Sequence, residues 1–285
     1  MSKQTSLQMQ KNKTRRLIET AVMLALATVL SVLKIAELPY GGSVTFASML
    51  PLAIIAYRYG AGWGLLSGLV YGVIQQLLGL KNLSYFTTWY SIVAIIMLDY
   101  LIAFAVIGLC GMFRKLKSQP AGMVLGAVFA CIVRYICHVA SGATVWAGLS
   151  IPTKDAMLYS LVYNATYMIP ETLVLLIAAY FISSKLDFRG DQIAPYKAPE
   201  GKSVVSNLVW IGGVAIIGAI AFDVVTLFKN LQNAETGKFD ITGLGSLEVW
   251  DWISMAIVTV LAIALAVVVM VLAKKNRQMK NGQNG

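Results

Sequence analysis

The groups able to do chemistry in this sequence are few, and most stand in apolar surroundings. Asp99 lies in a run, Ile95 to Ala103, that is otherwise apolar apart from Tyr100. Arg134, His138, Gly142 and Trp146 recur every fourth residue, which on a helix aligns them along one slowly drifting face. Tyr159, Tyr163 and Asn164 add hydroxyl and amide groups on the next apolar segment, and Glu171 and Asp223 are further acids within apolar runs. A carboxylate, an imidazole, an aromatic face and the gap left by a glycine are what a flat, cationic, hydrogen-bonding ligand needs. A second reading of the same residues stays open, in which Asp99 and Arg134 neutralise each other as a structural pair.

The elements that position these groups follow from composition. Of 285 residues 58% are hydrophobic and only 13% charged, with mean hydropathy +0.72, against about a quarter charged in soluble domains. Apolar stretches suited to a hydrocarbon core about 30 Å thick run from Leu17 to Leu33, Ala61 to Leu80, Trp89 to Phe113, Ala121 to Leu149, Ala156 to Ser184, Val204 to Phe228 and Trp250 to Ala273. A shorter piece, Ser48 to Tyr57, carries Pro51 and reads as a short or tilted span, for eight crossings in all. Leu17 to Leu33 is long for a signal-peptide core and no small-x-small cleavage site follows it, so it reads as the first helix. The fold class expected is an all-α integral membrane bundle. In such a bundle an ionisable group costs about 2.5–3.5 kcal/mol on insertion scales, which makes Asp99, Arg134 and His138 candidate site residues.

Charge placement sets the topology. With the amino terminus in the cytoplasm, the basic residues fall inside except Lys34, Lys81, Lys154, Lys229, Lys238 and the intramembrane Arg134, as the positive-inside rule requires. Both termini are thus expected in the cytoplasm, and the net charge of +10 is read as topology and attraction to anionic lipid, not as nucleic-acid binding. The organisation expected is a basic amino terminus (1–16), a six-helix membrane domain (17–184), a polar linker (185–203) with Pro195 and Pro199, an appended two-helix hairpin (204–273) and a basic tail (274–285).

Gly60, Gly64, Gly68 and Gly72, and Gly122 with Gly126, mark faces where helices pack closely. Ala21 and Ala25 form a similar small pair on the first span. Cys110, Cys131 and Cys137 have no paired spacing and read as small core residues. No nucleophile–base pair, metal-ligand cluster or phosphate loop is legible, so the expectation is a non-enzyme without cofactor or metal, and uphill transport would take its ATP hydrolysis from another chain.

From Leu17 to Ser184 the sequence resembles the thiamine-specific substrate-binding (S) components of energy-coupling factor transporters, the ThiT/YuaJ family. The resemblance rests on Pro51-Leu-Ala-Ile-Ile-Ala-Tyr-Arg-Tyr-Gly60, on Leu98-Asp-Tyr-Leu-Ile-Ala-Phe104, on Arg134-Tyr-Ile-Cys-His138 with Gly142 and Trp146, and on Tyr159 with Asn164. It implies a six-helix S component in which Asp99 faces the thiazolium cation, Tyr100 lines the same wall and Trp146 stacks on the ligand. His138, Gly142, Tyr159 and Asn164 would complete the pocket. Ala21 and Ala25 would dock on the shared transmembrane subunit of an energising module with two ATPase subunits. The family's glutamate at the acidic position is the shorter Asp99 here. A tryptophan expected in the first outer loop is absent, Tyr40 and Phe46 being the aromatics between Lys34 and Ala47. Other readings remain: an S component for a thiamine precursor or another vitamin, a proton-coupled secondary transporter using Asp99 or Glu171, or a membrane enzyme or assembly factor.

Overall fold

The computed structural model describes residues 3–38, 41–149, 151, 153–197, 209–231 and 239–282. Tyr40, the end of the expected linker with Pro199, and residues 232–238 of the outer loop lie outside these. Helix α1 (Lys3–Val32) is followed by an antiparallel pair, β1 (Lys34–Glu37) and β2 (Ser43–Thr45). Then come α2 (Leu50–Tyr59), α3 (Ala61–Leu78), α4 (Trp89–Phe113), α5 (Gln119–Thr144) and α6 (Ala156–Lys185). A small pair, β3 (Leu186–Asp187) with β4 (Ala194–Pro195), precedes the final hairpin, α7 (Val209–Phe228) and α8 (Val249–Gly282).

The molecule is an all-α membrane bundle. Among the described residues six helices are long and apolar enough to cross a bilayer: α3, α4, α5, α6, α7 and α8 up to Ala273. Two of the eight expected spans differ. The amino-terminal segment is not separate from the first span, because one helix runs unbroken from Lys3 and only its part from Leu17 onward is apolar. Helix α2, with 10 residues, is about 15 Å long, half a hydrocarbon core. It tolerates this because Pro51 to Arg58 are all buried within protein, where backbone polar groups need not face lipid.

The glycine face of α3 is what brings α4 close. A methyl group on Gly68 would meet the backbone of Phe104 and Ala105, and one on Gly72 the backbone of Tyr100 and Leu101. Gly60 stands one residue before α3, at φ +91° in the joint with α2, a left-handed conformation that favours glycine. Gly122 and Gly126 likewise seat α5 against Phe113 and Cys110. The three cysteines are free, Cys110 and Cys131 buried in this core.

Opposite the cavity end, Arg58 ties α2 to its neighbours. Its guanidinium donates to both carboxylate oxygens of Glu19 on α1 (2.6 and 3.1 Å) and to the carbonyls of Phe188, Gly190 and Asp191. With Arg58 only 6% exposed, the first stretch of the expected linker is bound to the bundle by this residue. Leucine at position 58 would leave the three carbonyls without this donor and Glu19 with only Tyr59 and Arg15 as partners. Arg58→Leu is expected to lower stability by about 3–5 kcal/mol, read as an earlier transition when the detergent-solubilised protein is titrated with a denaturing detergent.

Candidate functional site

The chemistry predicted from spacing converges on one cavity of about 1030 Å³, lined by α3, α4, α5, α6 and the β1–β2 pair. Asp99 and Tyr100 reach it because α4 is not uniform. Its stretch from Ile96 to Ile102 is wound as a π-helix, a local widening that recurs at functional sites, and both residues line the cavity.

Asp99 is held by three groups. His138 Nδ1 lies 3.0 Å from Oδ1, and Ser141 Oγ and Trp146 Nε1 each donate to Oδ2 at 2.8 Å. An ionised carboxylate accepts all three and has capacity for one more, and charge-assisted bonds of this kind are roughly twice as strong as neutral ones. With Asp99 ionised, His138 carries its proton on Nδ1, which leaves Nε2 as an acceptor. That Nε2 is buried without a hydrogen-bond partner in the protein, and His138 lines the cavity.

The indole of Trp146 is fixed at both ends. Its N–H is bound to Asp99, and Phe86 packs edge-on against it at 4.9 Å, with Tyr85 tilted at 6.3 Å. Tyr100 accepts from Asn82 Nδ2 at 3.0 Å. Asn164 is used within the protein: its amide donates to the Ser160 carbonyl (2.8 Å) and the His138 carbonyl (3.3 Å), and its oxygen accepts from Tyr167 (2.7 Å). It joins α6 to α5 and aims Tyr167 at the cavity.

Gly142 permits the closeness of these two helices, for a methyl group there would collide with Ser160 Oγ and touch Asn164. Gly142→Ala is therefore expected to push α5 and α6 apart and weaken ligand binding by about tenfold, near the low end of what overpacking a tight contact costs. Binding titration of the purified variant measures it, and an unchanged affinity would show that the contact relaxes freely.

The remaining expected residues part company with their sequence-level roles. Arg134 does not pair with Asp99. Its Nη1 lies 3.5 Å from Glu171 Oε2, with both side chains almost fully buried (8% and 5% exposed), and Thr45 donates to the other Glu171 oxygen at 2.9 Å. The reason is helix phase: Ser160, Asn164, Tyr167 and Glu171 form one inward stripe of α6, and Arg134 sits one turn deeper on α5 than His138. Tyr159 does not line the cavity. It lies in the first turn of α6, well to one side of that stripe, and packs on the surrounding apolar cluster, while Tyr163 takes the cavity wall. Ala21 and Ala25 lie exposed on α1, far from this chemistry.

Ser141, Tyr167, Thr45 and Glu37 line or support the site and were not singled out from sequence. Ser141 alone had a readable signal, standing three residues after His138 on the same helix face. Asp223, with no role assigned from sequence, accepts from Thr259 at 2.7 Å inside the α7–α8 hairpin.

A helical membrane bundle with a deep cavity, one pinned carboxylate and aromatic walls defines a membrane carrier of a small organic solute. Comparison with known proteins makes this particular. A family model described as thiamine transporter protein matches residues 17–188, so the chain belongs to the thiamine transporter family. It is 36% identical over 171 residues to the thiamine transporter ThiT of Bacillus subtilis (strain 168), covering 56% of this chain and 85% of the relative. Against ThiT of Lacticaseibacillus paracasei the identity is 27% over 168 residues, 52% of this chain and 76% of that protein.

Proposed function

We propose that the chain binds thiamine from the outside with high affinity and delivers it to the cytoplasm as the S component of an energy-coupling factor importer, without catalytic activity of its own. The observation that carries this reading is the Asp99 carboxylate, held by His138, Ser141 and Trp146 at the wall of the cavity. A permanent organic cation in a low-dielectric pocket needs a counter-charge that stays ionised, and each aromatic face adds roughly 0.5–2 kcal/mol. Tyr100 and Trp146 supply such faces, and His138 lines the same cavity. The shorter aspartate brings the cation closer to α4 or admits one bridging water.

In this reading both termini are cytoplasmic, the protein resides in the cell membrane, and the exposed Ala21 and Ala25 of α1 meet the shared transmembrane subunit of the energising module. Titration of the detergent-solubilised protein with thiamine, followed by tryptophan fluorescence, is expected to give saturable quenching with Kd between nanomolar and low micromolar, about −12 to −8 kcal/mol. Absence of saturation with thiamine and with hydroxymethylpyrimidine would sink the assignment. In proteoliposomes, uptake should require the energising subunits and ATP; accumulation by the chain alone on a proton gradient would instead identify a secondary transporter.

A further inference from the structure

The family match ends at residue 188, yet the hairpin beyond it is packed against the cavity wall and the β1–β2 pair that lines it. Helix α7 contacts β1 as well as α6. Val224, Phe228, Leu231 and Phe239 are buried in one apolar cluster with Leu38 and Val44 of the β1–β2 region and with Trp146 and Tyr163 of the cavity wall. Phe239, in the loop between α7 and α8, is 4% exposed and meets the Tyr163 ring edge-to-face at 5.0 Å. It is anchored there by its neighbour, since the Asp240 N–H donates to the Leu231 carbonyl at 2.9 Å. The Tyr163 hydroxyl in turn accepts from the Gly42 N–H at 3.3 Å, at the start of β2, and both residues line the cavity. A continuous path of contacts thus runs from the appended hairpin through Phe239 and Tyr163 to the β1–β2 flap.

We propose that the α7–α8 hairpin is a resident brace on the cavity mouth and that Phe239 is a positioning residue, holding Tyr163 and through it the β1–β2 flap in the closed arrangement, so that ligand enters and leaves slowly. Otherwise the flap is held on its β2 side, by packing on α6 and by the Thr45 hydroxyl bound to Glu171. Its two short strands form an isolated pair, and a two-stranded pair is marginal without packing on one face. An edge-to-face ring contact shifts an opening equilibrium by about two- to tenfold beyond the burial it brings. The kinetic consequence rests on the thiamine reading above; the mechanical one does not.

The test therefore has two arms, run on the full chain in detergent with wild type, Phe239→Ala and Phe239→Leu. Hydrogen–deuterium exchange at Ala36, Gly42 and Val44 is expected to accelerate about tenfold in Phe239→Ala and about threefold in Phe239→Leu, which keeps the apolar volume but not the ring edge. Exchange in α2 and α5 should stay as in wild type. Stopped-flow thiamine release should accelerate in parallel. Flap exchange unchanged in both variants overturns the proposal, as does exchange that rises uniformly across the bundle, which would mark Phe239 as general packing. Wild type that binds no thiamine while flap exchange responds as expected would refute the ligand assignment and leave the brace standing.

Discussion

Replacing Asp99 by asparagine is expected to weaken thiamine binding by about ten- to one-hundredfold, the worth of one charge-assisted contact of roughly 1.5–3 kcal/mol. The substitution keeps shape but removes the charge. It also turns part of an acceptor into a donor, so the amide cannot accept from His138, Ser141 and Trp146 together as the carboxylate does. The two effects separate by ligand. A neutral pyrimidine lacking the thiazolium should lose less than about threefold, because it never used the charge. Isothermal titration with both compounds reads the difference, and an equal loss for each would mean that Asp99 shapes the wall and does not face the cation. The same comparison distinguishes a thiamine site from one built for a precursor, since a precursor site would tolerate the variant with either ligand.

The second large effect concerns stability. Arg134→Met should destabilise the protein by about 3–5 kcal/mol, because it strands the Glu171 carboxylate where both partners are more than nine-tenths buried. Arg134→Met combined with Glu171→Gln should recover most of that loss. Glutamine carries no charge to desolvate and its oxygen still accepts from Thr45, which holds β2. Recovery of this kind is a coupling between neighbours that single substitutions cannot show. Unfolding in mixed micelles of mild and denaturing detergent measures all three proteins. A single variant as stable as wild type would show that the pair is solvated and carries little.

Arg134 illustrates how far sequence reasoning reaches. Its placement within an apolar span marked it as exceptional, and the fourfold spacing put it on one face with His138, Gly142 and Trp146. Both inferences depend only on hydropathy and helical period, which are local properties. Its partner is another matter. Asp99 and Glu171 were equally available acids on other helices, and the choice between them rests on how α5 is rotated and how deeply each helix sits. The same limit explains Tyr159 and Tyr163, which differ by one helical turn and have the same side chain. Only the orientation of α6 decides which of them faces the cavity.

The bundle's class and the location of its polar groups followed from the amino-acid order alone, because apolar length, charge asymmetry and small-residue spacing are written along one dimension. The acid at 99, the histidine at 138 and the glycine at 142 stood out for the same reason. The tertiary structure alone decided that α2 stops halfway through the bundle and that the carboxylate of Asp99 is pinned by a serine and an indole. It also alone placed the last hairpin against the cavity wall, where Phe239 meets Tyr163. These features depend on contacts between residues far apart in the chain, 121 positions in the case of Gly42 and Tyr163, and a side chain's partners across such distances are set by helix rotation and depth, which no local pattern encodes.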